Sequence, residues 1–229
     1  MRLLNTAIAA ITVAVLAVPA TAAVIVTNTT QNNAGFVVSN TDLLQTALAS
    51  SSFSGTFSRE GEVGTVALTN GVFGPVGSVI TAGNAVRQQA ATADGSNVAI
   101  YNFFGAYNLT SIDSFAGWDA YRGGQSYTVS YAMAGAPTTY LSLASVFNNA
   151  VGATGGTLVN THANIAADSG FLATNVVSLR FAFNSNLNSG YAGYREIDVQ
   201  GSAVPEPSSV ALLGLGLLGL CLARRSKRA

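Results

Sequence analysis

The chain has 229 residues, 49% of them hydrophobic and 9% charged, which supplies material for one sizeable core and excludes a highly charged, disordered body. The formal net charge of zero hides an uneven distribution: Arg2, Arg224, Arg225, Lys227 and Arg228 lie at the extreme ends, while residues 24–203 hold five arginines, no lysine and nine carboxylates, a net charge of −4. That mildly acidic interior argues against nucleic acid as a partner, because phosphate neutralisation needs clustered Lys and Arg.

Residues 1–23 carry one positive charge at Arg2, an apolar stretch over 7–18 and the small-residue pattern Ala20-Thr21-Ala22, the layout of a secretory signal peptide. The Sec translocon is the implied partner, and cleavage after Ala22 or Ala23 leaves a chain beginning near Val24. Pro19 opposes the alternative of a buried N-terminal helix.

The body, residues 24–203, has short apolar runs separated by Gly, Asn, Ser and Thr, the profile of an all-β sandwich in one domain. Residues 41–48 predict one short helix, capped by Thr41 or Asn40, with Leu43, Leu44 and Leu48 inward. Strands are predicted at 65–69, 98–104, 110–115, 126–133, 140–146, 176–183 and 195–200. In 126–133 the alternation places Tyr127, Val129, Tyr131 and Met133 on one face; in 176–183 it places Val177, Leu179 and Phe181 together. Stretches 148–156 and 184–193 read as exposed loops.

Three stretches narrow the fold. The run from Ile112-Asp113-Ser114-Phe115 through Trp118-Asp119-Ala120-Tyr121-Arg122 to Tyr127-Thr128-Val129-Ser130-Tyr131 resembles the central strand, loop and strand of discoidin-like (galactose-binding-like) jelly rolls. Tyr194-Arg195-Glu196-Ile197-Asp198-Val199 resembles that family's last strand, and Leu68-Thr69-Asn70-Gly71 resembles its early turn, which normally reads Leu-Thr-Asp-Gly. The resemblance implies a jelly-roll β-sandwich and, in sugar-binding members, ligand contact at loops on one end of it. It also implies a structural calcium ion, with Asn70 in the turn and Glu196 in the last strand as the candidates. Asn70 in place of Asp keeps an oxygen ligand and loses a charge, which weakens the hold on a hard cation, and a plain turn with Glu196 paired to an arginine is the alternative.

In the central loop, Asp119 and Arg122 either brace the loop as an ion pair or contact carbohydrate, with Trp118 or Tyr121 stacking on a sugar face and Asp119 accepting hydroxyl hydrogen bonds. The inventory for catalysis is thin. The one histidine, His162, stands in a polar stretch without a Gly-x-Ser-x-Gly motif, and Glu60 and Glu62 share one face of a predicted strand, where a solvated edge is the simpler reading than a glycosidase pair.

The chain closes with Val204-Pro205-Glu206-Pro207, an uncharged run over 210–223 and the basic tip containing Arg224 and Arg225. The 14-residue run spans roughly 21 Å as a helix against a hydrocarbon core of about 30 Å, so a transmembrane helix over about 208–223 needs flanking serines and snorkelling arginines to reach across. The basic tail, residues 224–229, stays cytoplasmic and leaves the body outside. Residues 204–229 resemble the PEP-CTERM sorting signal of Gram-negative bacteria that make exopolysaccharide. The resemblance implies an exosortase as processing partner, a transient stay in the inner membrane, and release to the cell surface or beyond. The lone Cys221 lies inside the apolar run, so no disulfide stabilises the body.

The expectation is therefore an exported, non-catalytic carbohydrate-binding protein of the exopolysaccharide or biofilm matrix. The alternatives are a structural or adhesive matrix protein that binds no glycan, and an exopolysaccharide hydrolase.

Overall fold

The structure, a computed structural model, describes residues 22–76, 85–86, 88–118, 121–150, 157–187 and 190–205. Nine strands are described: β1 (Val24–Asn32), β2 (Leu48–Ser54), β3 (Ala91–Ala93), β4 (Val98–Trp118), β5 (Gln125–Met133), β6 (Ala136–Asn148), β7 (Val159–Ala167), β8 (Ala173–Phe183) and β9 (Ala192–Ala203). All pairings are antiparallel.

The 21-residue β4 belongs to both layers. Its first half pairs with β2 and β8, which continues into β5 and β6; its second half pairs with β7 and β9, flanked by β1 and β3. The switch occurs where the register slips between Asn102, Tyr107 and Leu109. Such irregularity is how a strand turns a corner and passes from one sheet to the other. The result is a jelly-roll-like β-sandwich.

The core lies between the layers. Tyr101, Tyr127, Val129, Leu179 and Phe181 from one sheet meet Ile112, Ile165, Tyr194, Ile197 and Val199 from the other, all essentially inaccessible. Tyr194 ties the layers by a polar contact as well: its Oη accepts the Ser126 amide at 2.9 Å, and burial pushes the phenol pKa well above its ordinary value.

Register also defines two ends. At the distal end stand Val98, Trp118, Gln125, Val159 and Phe183; at the proximal end stand the β4 crossover, the turn joining β5 to β6, and the close of β9, where Ala203 faces Tyr107.

The sequence expectations at 126–133, 140–146, 176–183 and 195–200 correspond to β5, β6, β8 and β9, which are longer by a few residues. Those at 98–104 and 110–115 merge into β4. The strand expected at 65–69 is a 3-10 helix, Gly64–Leu68, that buries Ala67 and Leu68 without sheet pairing. The short helix contracts to α1 (Leu43–Thr46), and its cap is Asp42, whose Oδ1 accepts the Leu44 amide at 2.7 Å, in place of Thr41 or Asn40. Leu48 belongs to β2. Residues 1–21 of the signal peptide expected over 1–23, and the chain from 206 onward, lie outside the described residues.

Candidate functional site

At the distal end, loops remote in sequence assemble one charged and aromatic cluster. The Arg122 Nη1 atom stands 2.9 Å from Glu60 Oε1 and 3.0 Å from Oε2, while its guanidinium lies 4.5 Å above the Tyr191 ring. Tyr191 donates its hydroxyl to the same carboxylate at 2.5 Å. Partial burial and that hydrogen bond push the phenol up to about 12. Arg59 closes the group, ion-paired with Asp94 and 5.4 Å from the Tyr191 ring. Charge-assisted hydrogen bonds and guanidinium stacking hold these planar groups in fixed orientation.

Two glycines set the turn that carries Arg122. A Cβ at Gly123 would stand 2.1 Å from the Val159 carbonyl oxygen, and one at Gly193 would stand 2.5 Å from the Trp118 ring. The Gly193 amide donates to the Arg122 carbonyl at 3.0 Å. Backbone approach this close is available only without a side chain.

Of the predicted loop residues, Tyr121 is 55% exposed and Arg122 is half-buried in the cluster. Trp118, at 4%, packs with Val86, Ala90 and Leu158 in a small second core, so its ring is a floor under the loop and not an open platform for a sugar. Asp119 lies outside the described residues. Arg122 finds its carboxylate in Glu60. Glu60 and Glu62 stand between β2 and the 3-10 helix, not on a strand; Glu62 is buried and its Oε2 accepts the Glu60 amide at 2.7 Å. Sequence reading missed Arg59 and Tyr191, which carry no local motif and reach the cluster only through the fold.

The outer face of the sheet containing β9 holds a second polar group. Asp42, Glu196 and Asp198 are all buried there. Glu196 Oε2 accepts the Gly71 and Val72 amides at 2.8 and 3.2 Å, and Asp198 Oδ2 accepts the Ser39 amide at 2.6 Å. Burial, reinforced by the neighbouring carboxylates, pushes Glu196 up to about 8 and Asp198 up to about 7; burial likewise raises Asp42.

The calcium expectation can be tested against these atoms. Asn70 Oδ1 caps its own turn by accepting the Val72 amide at 2.9 Å. Glu196 Oε1 and the Thr69 carbonyl instead converge on one donor, the Gln45 amide nitrogen, at 3.5 and 3.2 Å, and Gln45 Oε1 is buried without a hydrogen-bond partner. Oxygens of Thr69, Glu196 and Gln45 thus gather at one point, while the Asn70 side chain is engaged in its own turn. Among the described residues no group of three or more His, Cys, Asp or Glu is disposed to hold a metal.

His162 also lies on this face, its Nε2 2.8 Å from Asp113 Oδ1 and its ring stacked on Phe115 at 4.6 Å. Ser111 bonds the same carboxylate at 3.2 Å and not the imidazole, so its hydroxyl is not set for activation by His162.

At the proximal end β9 runs into the sorting motif. The Val204 amide donates to the Ala106 carbonyl at 2.8 Å, and Pro205 follows; Glu206, Pro207, Arg224, Arg225 and the expected transmembrane run 208–223 lie outside the described residues. No helix among the described residues is long and apolar enough to cross a membrane.

These features define an antiparallel β-sandwich with a polar-aromatic rim at one end and a sorting signal leaving the other. Residues 203–228 match the PEP-CTERM protein-sorting motif, which indicates an exported, membrane-anchored precursor. No curated protein matches the chain. Among solved structures, the chain is similar to CBM32-1 from a family 31 glycoside hydrolase of Clostridium perfringens, at 11% identity and TM-score 0.42 over 69% of this chain and 99% of that one. It is also similar to chitosan-binding module 1 of a chitosanase/glucanase from Paenibacillus sp. IK-5, at 14% identity and TM-score 0.41 over 70% and 98% of the two chains. A third is the C-terminal domain of a chitobiase from Bacteroides fragilis, at 15% identity and TM-score 0.43 over 71% and 99%.

Proposed function

We propose that the chain is a non-catalytic carbohydrate-binding protein of the cell surface or exopolysaccharide matrix, exported through the Sec translocon and processed by an exosortase at Val204-Pro205-Glu206-Pro207. The observation that carries the glycan reading is the distal rim: Arg122, Glu60 and Tyr191 locked in one network beside the exposed Tyr121. A sugar presents hydroxyls in a plane and an apolar C–H face, and such a rim offers directional donors and acceptors next to an aromatic surface. Removal of the C-terminal segment in the inner membrane would free the body for this role.

Affinity electrophoresis of the full chain through gels containing bacterial exopolysaccharide tests the reading. Retardation that disappears in Tyr121→Ala, with thermal unfolding unchanged, supports it. Absence of retardation for the wild-type chain overturns it in favour of a structural or adhesive protein. The processing step is tested by mass spectrometry of the mature protein: a C-terminus still at Ala229 in an exosortase-bearing host contradicts it.

A calcium ion belongs to the same proposal as a structural element. Glu196 Oε1, the Thr69 carbonyl and Gln45 Oε1, with its amide turned over, would hold it, and the ion would neutralise the buried acidic face.

A further inference from the structure

We propose that the proximal end of the sandwich is a lipid-contact surface, on which the body of the precursor rests against the membrane until it is processed. The inference goes beyond glycan binding and rests on the anchored precursor that the sorting motif indicates.

The length of chain outside the described residues sets the distance. The β9 ladder continues to Ala203 opposite Tyr107, and Val204 is still hydrogen-bonded to Ala106. The uncharged run then begins at Val210, so residues 206–209 alone separate the folded body from the apolar segment. The five steps from Pro205 to Val210 reach at most about 18 Å even when fully extended. The headgroup layer of one leaflet is on the order of 5–8 Å thick, so this end of the sandwich is held within about 13 Å of its outer surface and within reach of it.

The other chain end leads to the same place. Val24 pairs with Ala167, and Ser111 pairs with both Ala166 and Gln200, so β1 begins at the end of the sheet where β9 finishes. Ala22 and Ala23, which follow the apolar N-terminal segment, therefore leave the body at the proximal end too. Until the N-terminal segment is cleaved, two apolar segments leave the same end, the side set toward the bilayer.

The surface itself suits that neighbour. A groove of about 450 Å³ lies there, lined among others by Phe104, Tyr107, Ala134, Asn175, Val204 and Pro205, with no charged side chain in its lining. Phe104 is 80% exposed, the most open aromatic ring among the large exposed hydrophobic residues of the described body. An apolar ring, a tyrosine and uncharged turns are the side chains that the membrane interface accepts. Asp168, whose Oδ1 accepts the Ala23 amide at 3.0 Å, stands at this end but outside the groove lining, while Glu60, Glu62 and Asp94 lie at the distal end, away from an anionic leaflet.

The test uses the full chain reconstituted in vesicles of phosphatidylcholine and phosphatidylglycerol, with and without brominated acyl chains. Phe104→Trp and Tyr121→Trp are compared over the constant signal of the buried native Trp118. The indole of Phe104→Trp should be quenched at least about twofold more strongly than that of Tyr121→Trp; equal quenching overturns the proposal. Wild-type chain in vesicles containing a photoreactive acyl-chain lipid gives a readout that no substitution disturbs. Adducts on the peptide covering 104–107 as well as on 208–223 support it, and adducts confined to 208–223 overturn it, the pattern expected if a protein partner such as the processing protease covers the groove. A chain that fails to float with the vesicles removes the anchored precursor and this surface together, which separates that failure from a misplaced contact.

Discussion

Glu196 Oε2 accepts the Gly71 amide at 2.8 Å, so the last strand of the sandwich holds the turn that covers its outer face. The carboxylate is fully buried and shares the space with Asp198 and Asp42. The Gly71 and Val72 amides, with a long contact from the Gln45 amide nitrogen, offset its desolvation incompletely: its pKa rises to about 8 and that of Asp198 to about 7.

The sign of the pH dependence follows. A carboxyl that holds its proton more tightly folded than unfolded contributes stability that is fully present below the unfolded value near 4 and is lost as pH rises through the folded one. In chelator, the Tm should fall by several degrees between pH 5 and pH 8, most steeply below about pH 7 where both carboxyls stay protonated only in the folded chain, and level off above about pH 8. Thermal unfolding across that range checks it. Glu196→Gln should flatten the profile, and a Tm that rises over the same interval contradicts the assignment.

Millimolar calcium should cancel that fall. A divalent cation on Glu196 Oε1 replaces the proton as the source of positive charge, so its stabilisation grows as the carboxylates ionise. Titration at pH 8 should raise the Tm of the wild-type chain and leave Glu196→Gln unmoved, while Asn70→Ala should keep most of the response, because Asn70 Oδ1 is engaged by its own turn. Equal responses in wild type and Glu196→Gln would remove calcium from this site.

Both outcomes bear on what the sequence made legible. Period-two alternation identified β5 and β8 because their inner residues, Tyr127, Val129, Leu179 and Phe181, face a core on one side only. β1, β2 and β7 escaped notice: VIVTNTTQN, LASSSFS and VNTHANIAA are polar, small or mixed, and sheet pairing rather than local apolar pattern makes them strands. The expected strand at 65–69 failed for the opposite reason, since the continuous apolar run Val66-Ala67-Leu68 buries Ala67 and Leu68 through a 3-10 turn and leaves Val66 exposed. At the distal rim, the segment 118–122 was marked by its aromatic and charged residues. Its partners Glu60 and Tyr191 lie 62 and 69 residues from Arg122, a proximity that only the closed sandwich creates.

That rim yields a prediction that separates bracing from binding. Tyr191→Phe removes the hydroxyl that donates to Glu60 and leaves the ring beneath Arg122. One charge-assisted hydrogen bond to a partly exposed carboxylate is lost, so stability should drop by about 1 kcal/mol or less. Glu60→Gln breaks the ion pair to Arg122 and should loosen the loop without unfolding the body, read as faster amide exchange at 121–123 with a Tm close to wild type. If retardation in exopolysaccharide gels survives Glu60→Gln and Tyr191→Phe but not Tyr121→Ala, the network positions the loop and Tyr121 makes the contact. Loss in all three variants assigns the contact to the network itself.

The tightest geometric demand on this loop falls at Gly123. A Cβ there would meet the Val159 carbonyl oxygen at 2.1 Å, and that atom is backbone at the start of β7, fixed by the pairing of Val159 with Trp118 and with Asn32. No rotamer change relieves such a clash; the loop must lift away from the sheet. Overpacking of this kind costs about 1–3 kcal/mol. Gly117→Ala meets the Asn160 side chain at the same nominal 2.1 Å, and a side-chain amide has more freedom to move than a strand backbone. Denaturant unfolding should therefore rank Gly123→Ala as the more destabilised of the two. Gly123→Ala should also detach Arg122 from Glu60, read as faster amide exchange at 121–123. A Gly123→Ala chain as stable as wild type, with amide exchange at 121–123 unchanged, would mean that the loop is not seated on β7 as described.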